Sequence, residues 1–233
     1  MSEIRIIPTV MPETYEDFIE KINKVSKLTE TIQIDVMDGK FVPSKSWPYN
    51  SLNDEHWRKL VTQEDGLPHW EKNNFEIDLM VSDQISEATN WIDVGVFRII
   101  GHLSAFKNDE EIEKFINLGK ERGVEVFLAL NPNDPNILLD KLVNKIDGVQ
   151  FMGITKVGYQ GQKFAEIVLT KIADFHNQYP YLPISVDGGV NFKTARLLVI
   201  AGATSLASGS VIFNSSNPQE TIQELKKVAQ GEE

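Results

Sequence analysis

Eight short runs of β-branched and apolar residues recur along the chain, separated by longer amphipathic segments. They fall at residues 4–9, 31–36, 75–81, 96–101, 124–130, 147–152, 182–187 and 204–208. Several are apolar almost throughout, as parallel strands covered on both faces are. The repeat of roughly 25–35 residues is the length of one βα unit. Eight such units predict a closed (β/α)8 TIM barrel of the α/β class. An open doubly wound sheet is the alternative. It usually has fewer strands and often a Gly-rich turn after the first, which is missing here.

Helical stripes support this alternation. Phe18, Ile22 and Val25 share one face, as do Ile112, Phe115 and Leu118, and Gly123 stands where a helix stop is expected. Further helical patterns start at Ala165 and Phe192. Residues 42–74 are irregular and rich in Trp, Pro and Asn, with one helix expected near 53–63. They are read as a βα insertion within a single barrel domain spanning 1–233.

Composition narrows the function classes. There is no cysteine, which removes disulfides, thiolate metal sites and a cysteine nucleophile. The net charge of −11 disfavours nucleic acid as a partner. No stretch approaches the roughly 18 apolar residues of a membrane span. The expectation is a cytoplasmic protein with no membrane partner. An acidic chain still binds a phosphorylated metabolite where backbone N–H groups do the binding.

In such a barrel, chemistry gathers at the C-terminal ends of the strands. Thr9, Asp35 with Met37 and Asp38, Asp78 with Met80, His102, Asn131, Met152, Asp187 and Ser208–Ser210 are placed there. An aspartate inside an apolar strand is costly unless paired, protonated or metal-bound. Singly, each would end its strand and cap a loop. Three of them on one barrel face favour a shared chemical role. Asp38 is read as a turn residue before Gly39, and His102 as a rim residue bonded to a neighbouring loop. Gly158–Gly161, Gly188–Gly189 and Gly209–Ser210 follow the last three strands, where phosphate sites in such barrels commonly lie.

The segments IIPTVM, IDVMDGKFVP, DLMV, LALNP, VGYQGQKF, SVDGGVN and AGATSLASGSVIF together resemble the ribulose-phosphate 3-epimerase family over nearly the whole length. That resemblance implies a (β/α)8 barrel acting on a ketose phosphate such as ribulose 5-phosphate. Asp35 and Asp187 would be the acid/base pair working through an ene-diolate. Thr9, Met37, Met80 and Met152 would touch substrate. Gly158, Gly161, Gly188, Gly189, Gly209 and Ser210 would take its phosphate. Family members usually oligomerise, so a homo-oligomer is implied.

In the family, two histidines and the two aspartates hold a divalent metal. Here those histidine positions are Gln33 and Asp78. The remaining candidate ligands are Gln33, Asp35, Asp78 and Asp187, all offering oxygen. Oxygen ligands favour Mg or Mn over Zn or Fe, and a site with no metal is equally compatible with the sequence. The loss of both imidazoles leaves two alternatives to epimerisation. One is a related sugar-phosphate isomerase or lyase. The other is a non-catalytic phosphosugar-binding barrel without the metal.

Overall fold

The computed structural model describes residues 4–51, 53–159 and 162–232. Eight parallel strands form a closed barrel in sequence order: β1 (Arg5–Val10), β2 (Thr31–Met37), β3 (Asn74–Met80), β4 (Arg98–His102), β5 (Glu125–Leu130), β6 (Gly148–Met152), β7 (Ile184–Asp187) and β8 (Ser205–Ser208). Each expected run yields a strand, with ends shifted by a residue or two. The helices are α1 (Tyr15–Val25), α2 (Glu55–Val61), α3 (Gln84–Val94), α4 (Asp109–Arg122), α5 (Ile167–Gln178), α6 (Ala195–Ala201), α7 (Ser210–Phe213) and α8 (Pro218–Gln230). Between β5 and β6 the connection contains only a short 3-10 turn, Asn136–Leu139.

Compactness divides the chain into Thr9–Phe127 on one hand and the residues up to Pro8 with Leu128–Glu233 on the other. In the Thr9–Phe127 unit the predicted stripe of α1 is buried, and Thr14 caps its start by accepting from the Asp17 N–H. Asn108 caps α4 in the same way, and Gly123 ends it in the left-handed conformation. Parallel pairing sets Gln33, Asp35 and Met37 beside Glu76, Asp78 and Met80. Because side chains alternate along a strand, each trio shares one face. On the next strand Arg98 stands beside Glu76, and its buried guanidinium binds the Glu76 carboxylate at 2.5 Å. Arg98 also lies over the Phe127 ring and pairs with Glu125. An ion pair therefore fills the core below the carboxylate layer.

The insertion belongs to this unit's core. Trp47 is buried against Phe18, with ring centroids 4.9 Å apart, and against Trp57 at 5.9 Å. Trp57 packs on Trp91 of α3 at 4.7 Å. The Tyr49 hydroxyl donates to Glu87 at 2.6 Å and accepts from the Trp91 indole at 3.1 Å. Burial, then the Glu87 charge, push that phenol well above its ordinary value. The expected helix near 53–63 is α2, capped by Asp54.

In the other unit, α5 buries Val168, Ile172 and Phe175. Pro218 occupies the first turn of α8, whose start is capped by Asn217 and whose end is closed by Gly231. Lys171 of α5 donates to the Asn131 carbonyl at 2.9 Å and also binds the Asp134 carbonyl, tying down the loop after β5. Burial holds this ammonium below the ordinary lysine value.

Candidate active site

Strands β2 and β3 place Asp35 and Asp78 side by side in register. Asp78 is fully buried, and Asp35 is 4% exposed. Gln33, two residues earlier on the same face, donates its amide Nε2–H to Asp35 Oδ1 at 2.8 Å. Its Oε1 is buried and has no hydrogen-bond partner among the described residues. The Thr9 hydroxyl, on the strand next to Gln33, is likewise buried without a partner there. Buried polar atoms are rarely left unpaired, and a polar ligand beside the carboxylates is one partner that would satisfy these two.

His102 is not a rim residue. It is fully buried, and its Nε2 lies 2.7 Å from Asp78 Oδ1. The alternation that points Arg98 at Glu76 carries His102 to the same face, two residues beyond Ile100 and therefore above Asp78. The Phe41 ring covers it, centroids 5.4 Å apart. Of the remaining histidines, His56 and His69 are exposed and His176 is half-buried.

Asp38 acts as the turn residue expected of it. It accepts from the N–H groups of Lys40 and Phe41 at 2.8 and 3.0 Å, and from the N–H and hydroxyl of Ser82 at 2.8 and 2.7 Å. Partial burial opposes the charge of Asp38, yet these donors hold its carboxyl below the usual value. Gly39 turns the chain at a φ of +74°, which favours glycine.

Among the later strands, Met152 ends β6 buried, and Asp187 ends β7 at 8% exposure. The turns after these strands approach very closely. A side chain on Gly153 would lie 2.0 Å from the Gly188 carbonyl oxygen, and the Gly153 N–H donates to the Asp187 carbonyl at 2.6 Å. Gly188 and Gly189 adopt φ of +89° and +70°. Asn191 and Thr194 donate to the Gly189 carbonyl at 2.9 and 2.7 Å, bracing that turn. Gly158 is buried at a φ of +83°. Gly209 precedes the four-residue α7, which begins at Ser210. Gly161 lies outside the described residues. Sequence reading overlooked Gly153, Asn191 and Thr194. A glycine directly after a strand-ending methionine was the one available signal.

Asp35, Asp78 and Asp187 come together. All three are buried, and one oxygen from each lies within 4.8 Å of the others. Three carboxylates at this spacing repel unless a cation or protons intervene. The donor set is oxygen only, which fits a hard divalent cation such as Mg²⁺ or Mn²⁺. Gln33 turns a donor toward Asp35 and so orients that carboxylate from behind.

The ribulose-phosphate 3 epimerase family model matches residues 5–213. Ribulose-phosphate 3-epimerase of Schizosaccharomyces pombe is 27% identical, with 97% of this chain and 94% of that protein covered. The Bacillus subtilis ribulose-phosphate 3-epimerase is 29% identical over 96% of this chain and 98% of its own. Among solved structures, KGPDC from Streptococcus mutans in complex with D-R5P superposes with a TM-score of 0.71 at 12% identity, covering 98% of each chain. At that identity the superposition speaks for the fold alone.

Proposed function

Since the chain belongs to the ribulose-phosphate 3-epimerase family, we propose that it inverts a hydroxyl-bearing carbon beside the carbonyl of a ketose phosphate, ribulose 5-phosphate or a near analogue. The buried trio of Asp35, Asp78 and Asp187 is the observation that carries this reading. A proton next to a carbonyl is removed only by a base held against it, and inversion needs an acid on the opposite face. Asp35 and Asp187 take these two roles. One accepts the proton from carbon and the other returns a proton from the far side, so no electron changes hands.

The ene-diolate formed between the two transfers carries a negative charge that the site must stabilise. A divalent cation, when held by Asp35, Asp78 and Asp187, would supply that electrostatic stabilisation. The chain's own contribution is orientation. Gln33 fixes Asp35, while Met37, Met80 and Met152 give the reacting carbons an apolar, water-poor lining. Thr9 offers a hydroxyl to substrate. Gly158, Gly188, Gly189, Gly209 and Ser210, with Gly161, take the phosphate through backbone N–H groups.

The proposal includes a single domain, a homo-oligomer and a cytoplasmic setting without nucleic-acid or membrane partners. Among the described residues, no helix is long and apolar enough to cross a membrane.

The test is exchange of the substrate's α-proton with solvent. The protein is incubated with a panel of ketose phosphates in D2O, with Mg²⁺, Mn²⁺, Zn²⁺ or Fe²⁺ or with none, and followed by NMR. Loss of the α-proton signal and appearance of the epimer are expected. No exchange on any substrate overturns the reading.

A further inference from the structure

We infer that His102 is a positioning residue for this reaction: from β4 it holds Asp78 in the orientation that completes the carboxylate trio. The inference rests on the function proposed above and goes beyond it. There, Asp78 is one of three cation ligands and His102 has no role.

Asp78 and His102 are both fully buried, and Nε2 and Oδ1 are 2.7 Å apart. A carboxylate removed from water needs compensating hydrogen bonds. With Asp78 ionised, as a cation ligand must be, its oxygens only accept, so Nε2 carries the proton. In the neutral ring this is the Nε2–H tautomer, with Nδ1 as an acceptor. Nδ1 is buried and has no partner among the described residues. A histidine that merely fills a core normally satisfies both nitrogens. His102 spends one on a site carboxylate and leaves the other unspent.

The layer geometry agrees. Arg98 and His102 lie on the same face of β4, one at each end. Arg98 holds Glu76, and His102 holds Asp78 two residues further along β3. One strand therefore supports two successive carboxylates of its neighbour, the lower for the core and the upper for the site. Where the family resemblance puts an imidazole directly into the metal site at position 78, this chain has a carboxylate there with an imidazole behind it. Groups behind a metal ligand fix its orientation, and their loss typically costs about 10–100-fold in metal affinity or activity.

The test uses the whole protein in three forms: wild type, His102→Phe and His102→Gln. Phenylalanine keeps the ring's bulk without the donor, and glutamine restores an N–H near the Nε2 position. Mn²⁺ affinity is read by calorimetry and the His102 tautomer of the wild type by long-range ¹H–¹⁵N NMR. A wild-type Nε2–H tautomer is expected, together with Mn²⁺ binding weakened about 10–100-fold in His102→Phe and largely recovered in His102→Gln. Where epimerisation is measurable, kcat falls in His102→Phe while KM stays within about threefold, because the residue lies behind a ligand and does not touch substrate. An Nδ1–H tautomer in the wild type overturns the inference, even if the phenylalanine variant does not fold. So does a folded His102→Phe protein that binds Mn²⁺ as the wild type does, or a wild type that binds none. Absence of α-proton exchange with the tautomer and the Mn²⁺ pattern intact overturns the epimerase reading alone.

Discussion

Asp38 and Ser82, 44 residues apart, are joined twice: both the backbone N–H and the hydroxyl of Ser82 donate to the same Asp38 oxygen. The loop after β2 is thereby clasped to the loop after β3. The clasp uses the ionised carboxylate, whose pKa is held below its unfolded value. A depressed acid stabilises the fold above its unfolded pKa and loses that contribution as pH falls through the folded one. Asp38→Ala should therefore lower stability at pH 7, by roughly 0.5–1.5 kcal/mol because most of the donors it leaves can turn to water. The difference from wild type should shrink as pH drops below about 4. Thermal melts of both proteins across pH check this, and an undiminished difference at low pH contradicts it.

Asp187→Asn removes one of the two proposed proton carriers while keeping its size. Turnover should fall by about 10²–10⁴-fold. Relief of repulsion within the trio should leave the melting temperature of the metal-free protein unchanged or higher. Steady-state kinetics and calorimetry together separate a chemical role from a structural one.

Chelation bears on the cation. Addition of Mn²⁺ at about 100 times its Kd should stabilise the apo-protein by roughly 2.7 kcal/mol. Asp78→Asn should abolish most of that gain. Thermal shift with and without EDTA measures it, and substantial stoichiometric zinc or iron in the purified protein would contradict the oxygen-ligand argument.

Gly153 has no room for a side chain, because the Gly188 carbonyl lies where a Cβ would go. Gly153→Ala should push the turns after β6 and β7 apart. Misplacement of about 1 Å in a binding turn costs on the order of 10²-fold in kcat/KM. The loss is expected in KM for the phosphorylated substrate, read by steady-state kinetics.

Glu76 and Arg98 form a buried pair with neither partner exposed beyond 3%. Glu76→Ala leaves the buried guanidinium with Glu125 as its remaining carboxylate and should cost about 1–3 kcal/mol. Denaturant unfolding of the variant gives the number directly.

The barrel was legible because eight apolar runs recur at the spacing of βα units, and burial on both faces makes the strands plainly apolar. Asp35, Asp78 and Asp187 were legible as polar interruptions of those runs. The Asp78–His102 contact was not. It joins residues 24 apart on adjacent strands, and only the β3–β4 register brings them together. The insertion was legible as irregular. Its packing on α1 and α3 was not, since Trp47, Trp57 and Trp91 meet through tertiary contacts that have no local period. The Gly153–Gly188 approach is likewise a meeting of two backbones, invisible in either segment alone.

The placement of His102 gives the two departures from the family pattern different surroundings. Among the described residues, the Gln33 side chain bonds Asp35 of its own strand, so Gln33→His would leave β4 untouched. Asp78→His would remove the buried carboxylate that accepts from His102 and set two imidazoles side by side. A change at 33 is felt on β2 alone, whereas a change at 78 is felt on two strands, because it also alters what His102 of β4 can donate to.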